Sequence, residues 1–186
     1  MIIANKLKNE NRAEYLLYMW QVEDILRLYG CDVDRIATEY LSRFTLPDDT
    51  AAEMRQWYAD LCEMMRSEGK VQQGHLQICE NIIIGLADLN AQLLASEKFP
   101  YYKQMYYKVL PYVVELRAKR QASTSAAAPE DEFRQMFELL YGVMTLRLQK
   151  RPISTDTARA VQDVSALLGQ LSDYYKADRA GELKFD

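Results

Sequence analysis

Apolar positions recur along the chain at spacings of three and four, the period of a helix with one buried side, and stop signals divide this pattern into about seven segments. The first covers about residues 11–29 and stops at Gly30, since glycine takes the left-handed conformation of a helix C-terminus at least cost. The second, about 33–44, follows Asp32 as N-cap and ends before Pro47. Thr50-Ala-Ala-Glu53 reads as a capping box opening the third, which sets Met54, Trp57, Tyr58, Leu61 and Met65 on one face and stops at Gly69. A fourth, about 70–96, aligns Val71, Ile78, Ile82, Leu86, Leu89 and Leu93. The fifth starts at Pro100, where a missing N–H costs nothing, and runs to about Gln121 with a kink expected at Pro111. The sixth follows Pro129, with acidic residues in its first turn and Arg147, Lys150 and Arg151 in its last, matching the helix dipole. The seventh, about 154–177, carries Val161, Val164, Leu168, Leu171 and Tyr175, and the chain end after it is expected to fray. Gly85, Gly142 and Gly169 interrupt these patterns at about 1 kcal/mol each relative to Ala, which predicts close helix approach as compensation.

Composition sharpens the class. Seven glycines in 186 residues are too few for a turn-rich sheet protein, so the reading is all-α, a compact bundle of about seven helices in one domain. The Ala/Ser/Thr-rich stretch 121–129 is the one linker candidate. A single His excludes sites that need two or three imidazoles from one chain, so no metal and no cofactor is expected. Cys31, Cys62 and Cys79 are odd in number and form no Cys-x-x-Cys pair, the usage of free thiols in a reducing compartment. With no signal-peptide core at the N-terminus, and with Ile82–Ala87 the longest uncharged apolar run, the expected location is the cytoplasm, without a membrane partner. Net charge is −4, with −6 in residues 1–93 and +2 in residues 94–186, too weak a basic surface to favour nucleic acid.

Three places carry candidate chemistry. In the first segment, Tyr15, Tyr18, Met19, Val22, Ile25, Leu26 and Tyr29 share one arc of about 120°, while Leu16, Leu17, Trp20 and Leu28 fall outside it. That second apolar face is either central to the bundle or offered to a partner, and Asp24 stands on it, with Arg27 three residues on as its natural counter-ion. In the fourth, His75 precedes Cys79 by one helical turn, but neither an orienting acid nor an oxyanion hole accompanies them, and a semi-buried imidazole beside a small core thiol is the plainer reading. In the fifth, Tyr101, Lys108, Tyr112 and Lys119 line the flank of a stripe of Tyr102, Met105, Tyr106, Val109, Val113 and Leu116. Alternating rings and ammonium groups suit an anionic ligand, although tyrosines at this spacing more often form a core edge.

The stretch 11–24, Asn11-Arg-Ala-Glu-Tyr-Leu-Leu-Tyr-Met-Trp-Gln-Val-Glu-Asp24, together with Gly74-His-Leu-Gln-Ile78, resembles a family of gut-bacterial proteins of about this size described as a domain of unknown function. The resemblance extends over the full length and implies an all-helical cytoplasmic bacterial protein. It brings no activity, ligand or catalytic residue.

The expected function is therefore a noncatalytic interaction or scaffold protein, meeting either another protein or itself, motivated by the second face of the first helix and by the lack of an assembled catalytic set. The alternative is a small-ligand or anion binder, or an enzyme, using a tyrosine-lined pocket between helices.

Overall fold

In the computed structural model of the chain, residues 2–121 and 132–185 are described, and residues 122–129 of the linker candidate lie outside them. The described residues hold eight α-helices and no strand, so the all-α class stands. These are α1 (Ile2–Glu10), α2 (Arg12–Leu28), α3 (Val33–Arg35), α4 (Asp48–Ser67), α5 (Gln77–Ala95), α6 (Pro100–Gln121), α7 (Glu132–Leu148) and α8 (Thr155–Arg179). They form two compact units, one of residues 1–9 and 14–82, the other of residues 10–13 and 83–186.

Local chemistry sets most of the boundaries. Gly30 and Gly69 end α2 and α4 at φ +64° and +66°. In both cases the next amide reaches back to the fifth carbonyl before it, Cys31 N–H to Leu26 O at 2.7 Å and Lys70 N–H to Met65 O at 2.7 Å, which satisfies acceptors the helix leaves open. Asp32 caps α3 by accepting from the Asp34 and Arg35 amides at 3.0 and 3.1 Å, and Ser154 caps α8 by accepting from Thr157 N–H at 3.1 Å.

Elsewhere the boundaries differ from the sequence reading. The polar segment Ile2–Glu10 is helical although it carries little apolar periodicity; among its described side chains Ala4 is buried. Helix α4 starts at Asp48 rather than at Thr50, with Ala51 N–H bonded to Pro47 O, so the Thr50–Glu53 box lies inside the helix and Asp48 and Asp49 occupy the first turn. The segment after α3 passes into a π-turn, Ile36–Tyr40, and a 3₁₀ turn, Leu41–Arg43. There Thr38 Oγ donates to Asp34 O and Ser42 Oγ to Thr38 O, side-chain bonds that compete with the regular ladder. Helix α5 begins at Gln77, not near Lys70, because Gly74 adopts φ +82° and residues 70–76 form a loop. Helix α6 runs on through Pro111. The chain end is tied down rather than frayed: Ser96 Oγ donates to Phe185 O at 3.0 Å, and the Phe185 ring lies 5.7 Å from that of Phe99.

In the first unit the core is built from Leu16, Met19, Trp20, Leu26, Ile36 and Met65, all at most 1% exposed. Of the two readings of the second face of α2, central to the bundle or offered to a partner, Leu16 and Trp20 follow the first, while Leu17 is half-buried and Asp24 and Leu28 are exposed. By length and composition α5 could cross a membrane, the one such helix among the described residues. It spends Cys79, Ile82, Ile83, Leu86, Leu89 and Leu93 on buried positions, the pattern of a core helix. In the second unit α6, α7 and α8 pack on one another around Tyr102, Phe137, Val164, Leu167 and Leu171. Two hydroxyls fix α6 there: Tyr102 donates to Asn90 Oδ1 at 2.7 Å in a buried bond, and Tyr106 to Glu132 Oε2 at 2.6 Å in a half-buried one.

The expected close approach at the helical glycines is absent. A Cβ at Gly142 or Gly169 meets nothing within 4 Å, and one at Gly85 reaches Tyr175 only at an ordinary 3.8 Å. These glycines carry backbone entropy with no packing return, so Gly142→Ala and Gly169→Ala are each expected to stabilise the protein by about 0.5–1 kcal/mol, read as a higher urea midpoint. A lower midpoint would reveal a packing role that the geometry does not contain.

Candidate functional site

The most tightly organised cluster of polar groups is one the sequence reading passed over. Glu23 projects from α2 between Met19, Trp20 and Leu26, at 0% exposure. A carboxylate there must be matched by donors or it would pull the helix outward. Its Oε1 accepts from Leu76 N–H at 2.9 Å, and its Oε2 lies 2.6 Å from His75 Nδ1 and 3.7 Å from the Arg27 guanidinium. The His75 ring stacks on Trp20 with centroids 4.1 Å apart and planes 14° from parallel. Arg27 in turn donates to the carbonyls of Lys70 and Gly74, closing the loop onto α2. A second carboxylate, Glu68, accepts from Gln77 N–H at 2.7 Å, so two acids from outside the helix cap the start of α5.

This arrangement is a clasp. His75 faces Glu23 on one side and lies flat on an indole on the other, and Cys79 is buried at 0% exposure. Burial first, and then the Glu23 carboxylate, push the Cys79 thiol far above the ordinary range, which keeps it a thiol at neutral pH and removes the nucleophile chemistry considered for the pair. Cys31 and Cys62 are buried too, and burial pushes Cys62 up to about 11. Asp24 stands outside the cluster, exposed and held by Arg27 at 3.1 Å. Of the residues singled out on α2 and its neighbours, Trp20 and His75 are therefore brought together, and Asp24 is not. The signal for Glu23 was present as a carboxylate at the centre of the 16, 19, 20, 26 stripe.

On α6 the tyrosine and lysine flank is also spent on internal contacts. Lys108 Nζ lies 2.7 Å from Asp163 Oδ1, and Tyr112 donates to Asp163 Oδ2 at 3.1 Å, so one carboxylate of α8 holds both. Lys119 pairs with Glu115 at 2.6 Å. Tyr101 stays exposed at the edge of an open groove of about 270 Å³ that also includes Gln104, Met105, Lys108, Asp163 and Ala166. An anion entering it would meet a lysine already neutralised and the carboxylate that neutralises it. Among the described residues no three His, Cys, Asp or Glu side chains converge to hold a metal ion.

Residues 1–182 match the model of a family described as Domain of unknown function (DUF4924). No curated protein and no solved structure matches the chain.

Two measurements follow from the geometry. Glu23→Ala leaves the Leu76 amide and the buried faces of His75 and Arg27 unmatched, an expected loss of about 3 kcal/mol in urea unfolding, whereas Asp24→Ala, at an exposed pair, should cost less than about 1 kcal/mol. Equal losses would contradict the clasp. Asp163 is held below the usual carboxylate range, chiefly by Lys108 and further by Tyr112. A carboxyl lowered on folding contributes stability above its unfolded value, about 3.9, and loses it as pH falls through the folded value. The stability gap between the native chain and Asp163→Asn should stay level from about pH 5 to 8 and close on acidification below about pH 4; a gap that widens there contradicts the assignment.

Proposed function

The chain belongs to the DUF4924 family, a domain of unknown function, and on its own geometry we propose that it is a noncatalytic protein-interaction protein of the bacterial cytoplasm. One observation carries the reading: α6 has apolar residues on two opposite sides. Its inner side buries Tyr102, Tyr106, Val109 and Val113. Its outer side presents Pro100, Gln104, Tyr107, Pro111, Val114 and Ala118, all exposed, at spacings of four and three. At about 100° per residue these six fall within an arc of about 80°, and none is charged.

A solvent-facing helix surface ordinarily carries charge, because exposed apolar rows invite association. Tyr107 is 62% and Val114 58% exposed. The role that the sequence reading gave to α2 passes in this way to α6, since Leu16 and Trp20 are core. The buried free thiols suit a reducing compartment. A ligand-binding or catalytic role has less behind it, since the groove beside Tyr101 is open and its cation is taken by Asp163.

A photocrosslinking side chain placed at Tyr107 in the producing cell is expected to give discrete adducts of higher mass. The same probe at Gln162, exposed on α8, is expected to give none. Adducts from both positions alike, or from neither, would sink the interaction reading.

A further inference from the structure

Two of the three cysteines meet in the first unit, well away from α6. Cys31 follows Gly30 in the turn after α2, and Cys62 stands on α4. Their side chains hydrogen-bond each other, and both are free thiols at 0% exposure. Backbone contacts independently dock residue 31 on this stretch of α4: its N–H reaches Leu26 O at 2.7 Å, and its carbonyl accepts at 2.6 Å from Arg66, one turn after Cys62. Held at both polar groups, Cys31 sits at φ +56°, a conformation that residues with a Cβ seldom adopt. Glycine or asparagine would take such a turn at less cost. A cysteine there places a second sulfur beside the first. Cys79, by contrast, contacts the Glu23 carboxylate rather than another thiol.

The cover over the pair is thin. Gly30 and Asp32, on either side of Cys31, are exposed, and so is the Arg66 side chain. Opening one short turn is a small local event beside unfolding the core. We propose that Cys31 and Cys62 are a reversible redox switch, closed to a disulfide by hydrogen peroxide, which staples the turn after α2 to α4. The contact between the thiols is unequal. Burial pushes both up, but the contact lowers Cys31 and raises Cys62, as it does when Cys62 S–H donates to the Cys31 sulfur; Arg66 lowers both. Cys31 is therefore the attacking sulfur. Its thiolate attacks one peroxide oxygen, the O–O bond breaks, and a sulfenic acid forms while the other oxygen leaves as hydroxide and takes up the proton Cys31 released. The Cys62 sulfur then displaces the hydroxyl from Cys31, and its proton leaves with it as a second water. Two sulfurs are oxidised and one peroxide is reduced to two waters. A dithiol reductant reverses the bond, so in a reducing compartment the link is transient.

The test treats the folded full chain with hydrogen peroxide and maps its peptides without reduction. The expected result is a loss of the mass of two hydrogens and a single linkage, Cys31 to Cys62, that dithiothreitol undoes, with Cys79 still a thiol. Closing the chain between residues 31 and 62 restricts the unfolded state, so the linked form should unfold at a higher urea midpoint that returns to its starting value on reduction. In Cys62→Ala, shown folded by unchanged circular dichroism, dimedone is expected to label Cys31 as the stranded sulfenic acid. The map of the native chain decides even where that variant does not fold. Three intact thiols after peroxide, a linkage that includes Cys79, a linkage that forms only in urea, or a lower midpoint of the linked chain each overturns the proposal.

Discussion

The first unit depends on one buried charge. A carboxylate at the centre of an apolar helix face is among the costliest groups to remove from water, and the cost falls only when donors surround it. Glu23 therefore fixes more than its own rotamer. The Leu76 amide, the His75 ring and the Arg27 guanidinium have to arrive together, and with them come the loop at 70–76 and the first turn of α5. Trp20 supplies the flat wall against which the imidazole is held. A hydrophobic residue at position 23 would fill the same space but would leave the loop without a reason to lie where it does. The helix start at Gln77 is thus set by acids far away in sequence, Glu23 and Glu68, rather than by a cap of its own.

That distinction separates what could be read from the sequence and what could not. Gly30, Gly69, Asp32 and Ser154 mark helix ends through bonds that close within a few residues, and these boundaries were legible. The start of α5 was not, since its signal is non-local and the residues before it, Gln72-Gln73-Gly74-His75, carry no decisive pattern. The capping box at Thr50 lost to a start two residues earlier, where Pro47 supplies a preset turn and two aspartates follow. The π-turn after α3 came from hydroxyls bonding back along the chain, a competition that periodicity does not register. On α2 both faces contribute to the core: Met19, Val22, Leu26 and Tyr29 of the expected arc are buried, and so are Leu16 and Trp20 of the second face, which is central to the unit. The buried side centres near Glu23, so Glu23 rather than Asp24 is the acid that matters.

The candidate chemistry of the sequence is mostly absorbed into structure. The imidazole braces a loop, the thiols are sealed, and the lysine and tyrosine hydroxyl of the α6 flank share one aspartate. What is left over is surface of unusual composition, on which the proposed association rests.

A helix with two apolar sides also poses a problem of folding specificity. Hydrophobic burial alone leaves α6 a competing packing with its outer side inward, since Tyr107, Pro111 and Val114 are apolar as well. The tyrosine hydroxyls break the tie. Tyr102 and Tyr106 find Asn90 and Glu132 only when the inner side faces the core; in the rotated packing Asn90 would be buried without a donor. Those two hydrogen bonds act as a key, adding little to the depth of the native well while raising its one close competitor.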